Sequence, residues 1–595
     1  MLSSNPNSNS RLQKWQRRYR RFRTSPRRTT QIALVTIAII CITALIAIPK
    51  QRGYKSSWPI GEGSVSSPEA LCSAIGEELI KEGGGAVDAV IGTALCTGVI
   101  NSYASGIGGG AFLLVRPRGG VEASVMYDCR ETAPAAARPH IFDKHDSVFG
   151  GLAVGIPGEL TCFAHAHKRF GRLPWARLFK GAITLARDGF PMPKGMANRL
   201  HQNAAQILSN PEFKKIYAPS GSVLTEGEIC NRRNLAETLD KISDGGVDVF
   251  YKGEIADQLV ATIRKEGGIV TKEDFSNYKA VQRSPIFGTY KGNQIVVPPA
   301  PSAGPIMLSI LKILENLPDF HATNTSALQV HRLIEAIKFG KAQHTLFGDP
   351  ISDPAKMKNI TDWVLSNSTA SYNAAQIDDN RTYSSPHYGE HFAPVDEHGT
   401  CHIAVLTGTT ADYEAASLTT TTNMPFGSWI MDPTTGIILN DEMDDFAKPN
   451  RTDIVGRPTN EVNWPRGGRR PLSSMTPMVV EDGETGEPVL VLGASGGGRI
   501  PTTVAQVLIS ILDGQHSAVD AVQAPRFHHG LIPEWLEVEE GMKANGVAEG
   551  LEQRGHTLHW YNGTVIPSLV QVVHNKGGVL QAVADDRIER IGVGQ

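Results

Sequence analysis

Acidic side chains are missing from the first 55 residues, which contain neither Asp nor Glu although the 595-residue chain carries 60 of them. The same stretch is crowded with Arg11, Lys14, Arg17, Arg18, Arg20, Arg21, Arg23, Arg27 and Arg28, so residues 1–31 form a basic tail without counter-charge. Cysteine is scarce, at seven residues, which excludes a small disulfide-dense scaffold. Neither an HExxH motif nor a spaced Cys/His set occurs, and the glycine-rich segment Ser105–Phe112 lacks both a P-loop lysine and a complete G-x-G-x-x-G. No metal and no cofactor is therefore expected, and that segment reads as tight packing. There is no internal repeat or long low-complexity tract, and with 41% apolar and 20% charged residues the chain is neither disordered nor fibrous. Past Lys55 the basic residues number 46, the chain's 58 less the twelve in the first 55, against 60 acidic ones. That balance lacks the basic face that nucleic-acid binding requires.

The N-terminus does contain an uncharged apolar run, Ile32–Ile48, closed by Pro49 and Lys50. At about 1.5 Å per residue, residues 32–49 just span a hydrocarbon core of about 30 Å. The preceding arginines hold the tail in the cytoplasm. The remainder is then expected outside the cell or in a secretory or vacuolar lumen, as in a single-pass type II membrane protein. A cleaved signal peptide is one rival, but its basic head and apolar core are usually shorter. A nuclear localisation signal is the other, and the adjacent apolar run opposes it. Six sequons, at Asn324, Asn359, Asn367, Asn380, Asn450 and Asn562, fit glycosylation along the secretory route.

Residues Gly399 to His402, reading GTCH, end a polar stretch and open the alternating run Ile403, Val405. A hydroxyl residue thus stands where loop turns into buried strand, with a glycine before it. Breaking the Gly399–Thr400 bond gives Thr400 a free α-amine beside its own hydroxyl. That amine, with an unperturbed pKa of roughly 7.7 to 8.0, suits a general base near neutral pH, and threonine with its own N-terminal amine is an activated nucleophile. Read alone, Thr400 is equally the first residue of an ordinary strand, where β-branched residues are common.

Further strings surround this one: SGIGGGAF at Ser105–Phe112, CRETAPAA at Cys129–Ala136, TTTTN at Thr419–Asn423 followed by PFGSWI, NDEMDDF at Asn440–Phe446, PLSSM at Pro471–Met475 and GASGGG at Gly493–Gly498. In this order and spacing, from about residue 60 to the C-terminus, the chain resembles the γ-glutamyltranspeptidase (glutathione hydrolase) family of N-terminal-nucleophile hydrolases. The resemblance implies an α/β fold, a four-layer αββα sandwich, here preceded by one transmembrane helix. Cleavage at Gly399–Thr400 would give a large subunit, residues 50–399, and a small catalytic subunit, residues 400–595, intertwined as a heterodimer. It implies Thr400 as nucleophile, Thr421 bonded to the Thr400 hydroxyl or amine, and the amides of Gly496 and Gly497 as oxyanion donors at a strand-to-helix turn. A γ-glutamyl group carries an α-carboxylate and an α-ammonium. Arg130, with its planar fork, and the hydroxyls of Ser473 and Ser474 suit the first; Asn423, Glu442 and Asp445 suit the second. Taken singly, such pairs and clusters are usually solvated surface features. The implied partners are glutathione and other γ-glutamyl compounds, with water, amino acids or dipeptides as acceptors. A Cys72–Cys96 disulfide is likewise implied, while Cys129, Cys162, Cys230 and Cys401 read as small buried hydrophobes.

Other readings compete locally. GASGG also fits a G-x-S-x-G elbow with Ser495 as nucleophile, but leaves Thr400 and the other strings unexplained. Cys401 with His402 suggests a thiol mechanism, yet successive strand residues face opposite ways, so Thr400 and Cys401 cannot share a pocket, and His402 reads as a packed strand residue. Helices are expected over Ser67–Ile80, with Ser67 as N-cap, and Pro501–Asp513. Strands are expected at Ala111–Val115, Gln294–Val297, His402–Leu406 and Pro488–Leu492, and Tyr372–His398 reads as an exposed linker. Residues Ala447–Arg470 have the length of the family's lid, but Val455 stands where an aromatic is usual, which leaves lid closure and the balance between water and peptide acceptors open. Two alternatives accompany the enzyme reading: a related acylase for another amide, and a non-catalytic membrane glycoprotein of the same fold.

Overall fold

The structure, a computed structural model, describes residues 63–322, 326–389, 392–393, 399–409, 412–454, 456–561 and 568–587. The basic tail, the apolar run 32–49, Asn324, Val455 and Asn562 lie outside the described residues. Among the described residues no helix is long and apolar enough to cross a membrane.

Two six-stranded sheets make the centre. Strands β1 (Gly63–Ser66), β2 (Gly110–Arg116), β3 (Val125–Cys129) and β4 (Val281–Arg283) contribute to one, and β5 (Ile286–Tyr290) and β6 (Asn293–Val297) to the other. Past the GTCH segment, β7 (Cys401–Thr407) and β8 (Glu414–Thr421) join the first sheet, while β9 (Met478–Glu481), β10 (Pro488–Ala494), β11 (Val570–Lys576) and β12 (Val579–Ala584) join the second. The orders are β1-β7-β8-β2-β3-β4 and β12-β11-β10-β9-β6-β5, with antiparallel pairing throughout. Strands from both sides of residue 399 thus occupy both sheets.

The two sheets pack face to face through β7, β8, β10 and β11. Helices α1 (Ala70–Lys81), α2 (Ala86–Ile100) and α3 (Glu159–Phe170) cover the other side of the first sheet. Helices α4 (Gly304–Glu315), α5 (Ala327–His344) and α6 (Ile500–Leu512) belong to the layer on the second. This layering explains the composition of the central strands. GAFLLVR in β2 and CHIAVLT in β7 are buried at every position, because a sheet covered on both faces needs no polar side. Helix α2 is buried along its whole length and is correspondingly apolar all round.

Three expectations need correction. Helix α1 begins at Ala70, because the Ser67 hydroxyl donates to the Glu69 carbonyl (2.9 Å) and meets Ser73 Oγ (2.8 Å) instead of capping helical amides. The segment 372–398 is no plain exposed linker. It starts inside a helix, Asn367–Ala375, and a turn at Ser385–Tyr388 buries both of its end residues, with Tyr388 Oη donating to Glu335 Oε2 (2.6 Å). The cysteines also divide differently. Cys72–Cys96 is bonded, joining α1 to α2, but Cys129 and Cys162 form a second disulfide. Packing of α3 on β3 brings this pair together across 33 residues of sequence, whereas Cys230 and Cys401 are free and buried.

Candidate active site

The GTCH junction sits at the edge of the sandwich, where β7 begins. Thr400 is buried and has φ +89°, and Gly399 has φ +73°. A β-branched residue in the left-handed region is a steric outlier that costs on the order of 1–3 kcal/mol. Glycine at 399 is also required by space, since a Cβ there would stand 1.6 Å from the Asn423 carbonyl oxygen. The amide of Gly496 donates to the Gly399 carbonyl (3.0 Å) and lies 3.3 Å from Thr400 Oγ1. One backbone N–H therefore faces both the carbonyl of the strained bond and the hydroxyl beside it. Gly496 and Gly497 occupy the turn between β10 and α6, near a helix N-terminus whose partial positive charge favours an oxyanion. Thr421 lies at the end of β8, and in this uncut chain its Oγ1 accepts from the Asn423 amide (2.7 Å).

The charged residues named from the sequence converge. The Arg130 guanidinium forms ion pairs with both Glu442 and Asp445 and donates to the Leu472 carbonyl (3.0 Å). Arg130 is thereby clasped to the loop that carries Ser473 and Ser474, both buried. Asn423 Nδ2 donates to the Asp441 carbonyl (3.3 Å), joining the TTTTN and NDEMDDF strings. Two more carboxyls crowd this region. Burial pushes Glu131 up to about 8, with Arg130 opposing. Burial also raises Glu442 well above the usual carboxylate range, and Asp441 rises through burial and the adjacent Glu442. Three of these buried carboxyls, Glu131, Asp441 and Glu442, are thus held towards the protonated form, and an incoming ammonium would favour their ionised state.

The rival nucleophiles are engaged elsewhere. Cys401 is buried and its thiol is pushed up by desolvation, away from the reactive thiolate. His402 points between the sheets, neutral with its pKa lowered by burial to about 3, and its Nδ1 lies 3.0 Å from Thr419 Oγ1. A Cβ at Gly493 would meet that ring at 2.4 Å, so this glycine of GASGGG serves packing. The Ser495 hydroxyl is tied to the backbone of Leu569.

Sequence reasoning missed several supports. Asn440 donates to the carbonyls of Gly108 (2.7 Å) and Gly155 (2.9 Å) and accepts from the amides of Gly155 (2.9 Å) and Glu442 (3.0 Å), pinning its own string to SGIGGGAF and to the segment at Gly155. It opens NDEMDDF, which was its available signal. Tyr278 Oη donates to the Arg130 carbonyl (2.9 Å). The buried trio His331, Glu335 and His556 holds potential metal donors within 4.8 Å of one another. These side chains are engaged: His331 Nε2 donates to the Asp378 carbonyl (2.9 Å), its Nδ1 lies 2.7 Å from His556 Nε2, and Glu335 accepts from Thr382 and Tyr388 (both 2.6 Å).

A threonine heading a buried strand inside a double-sheet sandwich, with a glycine amide facing its hydroxyl, is the arrangement of N-terminal-nucleophile hydrolases. The solved cephalosporin acylase of Bacillus halodurans has this fold, with a TM-score of 0.77 at 23% identity over 91% of this chain and 98% of that one. The family described as Gamma-glutamyltranspeptidase matches residues 72–594. A glutathione hydrolase of Aspergillus flavus is 37% identical over 554 residues, 91% of this chain and 90% of its own. Glutathione hydrolase proenzyme 1 of Schizosaccharomyces pombe is 36% identical over 540 residues, 89% and 84% respectively. The chain belongs to the γ-glutamyltranspeptidase family.

Proposed function

We propose that this chain is a self-processing glutathione hydrolase and γ-glutamyltransferase. The reading is supported by relatives of that name and carried by one observation, the Gly496 amide placed against both the Gly399 carbonyl and the Thr400 hydroxyl. In maturation the Thr400 oxygen attacks the Gly399 carbonyl carbon, the Gly496 N–H holds the developing oxyanion, and the C–N bond breaks to leave an ester. Water hydrolyses the ester, freeing the Gly399 carboxylate and the Thr400 amine. The left-handed φ of Thr400 is defined only while the bond exists, so its strain favours the cut. The same oxygen, now with its own amine as base, attacks the γ-amide of glutathione. Cys-Gly leaves, and water or an amino acid or peptide takes the γ-glutamyl group from Thr400. An oxyanion donor of this kind contributes about 3–4 kcal/mol to such steps.

Arg130, Ser473 and Ser474 are assigned to the substrate α-carboxylate, and Asn423, Glu442 and Asp445 to its α-ammonium, with Gly497 as the second oxyanion donor and Thr421 supporting Thr400. Arg130 paired with Glu442 and Asp445 speaks against an acylase for a substrate lacking those two charges. We place residues 1–31 in the cytoplasm, 32–49 in the membrane and the catalytic body outside or in a lumen. Asn359, Asn367, Asn380 and Asn450 are exposed, as glycan acceptors must be. The deciding experiment is Thr400→Ala, which is expected to remain one chain on a denaturing gel and to release no Cys-Gly from glutathione; a split, active variant would refute the reading.

A further inference from the structure

The grip assigned to the glutamyl α-carboxylate is assembled from two segments far apart in the chain, Arg130 just past β3 and Ser473 and Ser474 in the PLSSM string. Donors from two segments act on one carboxylate only if their separation is held to within about 0.5 Å. Behind them lies a cluster of charges that the chemistry proposed above does not use. It consists of Asp128, Arg283, Asp349 and Arg470, each buried or nearly so.

Asp128 sits in β3, two residues before Arg130, and its Oδ1 accepts from the Arg130 amide (3.1 Å). The same oxygen faces Arg470 Nε at 3.4 Å, while Oδ2 is held at 2.7–2.8 Å by the guanidinium of Arg283, the last residue of β4. Asp349, in the loop after α5, closes the ring. Its Oδ1 accepts from Arg283 (3.3 Å) and its Oδ2 from the Arg470 amide (2.9 Å). Arg470 also donates to the Lys279 carbonyl (2.7 Å), and its guanidinium lies 5.8 Å from the centre of the Tyr278 ring, whose hydroxyl donates to the Arg130 carbonyl (2.9 Å). Arg470 directly precedes the PLSSM string, so both the N–H and the C=O of Arg130 are tied to groups that contact the residue in front of the two serines.

Two carboxylates and two guanidinium groups cancel, so the cluster offers no net charge to a ligand. A buried ion pair adds little stability over apolar packing of the same shape, because desolvation offsets the attraction. What it supplies is direction, since a planar guanidinium fork fixes where its partners stand. We propose that Asp128 and Arg470 are positioning residues for substrate binding. Their pairing sets the distance between the Arg130 guanidinium and the Ser473 and Ser474 hydroxyls, and with it the preference for a donor carrying a free α-carboxylate. Both act through Arg130 and the serine string, not on the substrate itself. The proposal rests on the γ-glutamyl reading above and adds the two residues that hold the carboxylate grip in register.

The test compares two donors, a γ-glutamyl anilide and the same anilide with its α-carboxylate converted to the amide. Wild-type protein is expected to favour the acid in kcat/KM by about tenfold or more, the size of one charge-assisted hydrogen bond. Asp128→Asn keeps an acceptor for the Arg130 amide and removes the charge that orients Arg470. It is expected to bring the preference most of the way to unity through KM for the acid donor, while kcat/KM for the amide donor stays within about twofold. Arg470→Lys, which keeps the charge without the fork, is expected to narrow the preference less than Arg470→Met. A preference unchanged in Asp128→Asn, or an equal loss on both donors, would overturn the positioning role and leave the γ-glutamyl reading standing. Equal wild-type rates on the two donors would remove the α-carboxylate assignment itself, and this role with it. Should Asp128→Asn remain an uncut chain, Arg470→Lys decides by the same ratio; failure of both to mature would overturn the proposal by making the cluster a requirement of folding.

Discussion

At the scale of single residues, the site is a problem of charge held out of water. Glu131 lies in a fully buried setting beside Arg130, and desolvation keeps its proton on until about pH 8, against an ordinary value of 4.5. Between those two values the unfolded chain holds fewer protons than the folded one, so stability falls as pH rises through that window. Glu131→Gln removes the proton and with it this contribution. Calorimetry is expected to show a shallower loss of Tm between pH 5 and pH 8 in Glu131→Gln than in wild type, and an unchanged slope would mean that the carboxyl is ionised in the folded protein. The opposite case is Cys401 and His402. Their adjacency invites a catalytic reading, yet alternation along β7 and burial make one an inert thiol and the other a neutral ring packed against Gly493.

At the scale of elements, the cluster of Arg130, Glu442 and Asp445 depends on how β3 ends. Cys129, the last residue of that strand, is bonded to Cys162 on α3, and Arg130 follows directly. The disulfide therefore fixes the point from which the guanidinium reaches Glu442 and Asp445. Closing a loop across 33 residues stabilises a fold by about 3–4 kcal/mol in the chain-entropy account. Replacing both Cys129 and Cys162 by Ser is expected to lower Tm by several degrees, as thermal melting would record, and to raise KM for γ-glutamyl donors more than it lowers kcat. A Tm loss with KM untouched would show that Tyr278 and the Leu472 carbonyl hold Arg130 without the disulfide.

At the scale of the whole molecule, interleaving governs what cleavage can do. The first sheet places β7 and β8 between β1 and β2, and the second pairs β9 with β6, so each sheet combines strands from both sides of Gly399–Thr400. Both disulfides lie before residue 399, and Cys401 is buried and free. Cleavage products of 399 residues and the remaining 196 of 595 are therefore expected to travel together in size-exclusion chromatography. On a denaturing gel they are expected to separate without reductant, apart from any added glycan mass. Separation under native conditions would contradict the strand order.

Much of this was readable from the chain alone. Alternation and apolar runs place β2, β6, β7 and β10 to within a residue or two, α6 is displaced by one residue, and the ordered strings single out Arg130 and the acidic loop, which the fold brings into ion pairs. Such features are local, since backbone propensity and side-chain periodicity act over a few neighbours. What the sequence left open involves groups far apart along the chain. The partner of Cys129, the burial of Tyr388 against Glu335, the four bonds of Asn440 and the raised pKa of Glu131 are set by which surfaces come within about 3 Å of one another. Only the closed sandwich decides that, because removal of water makes each of these polar groups find a partner or keep its proton.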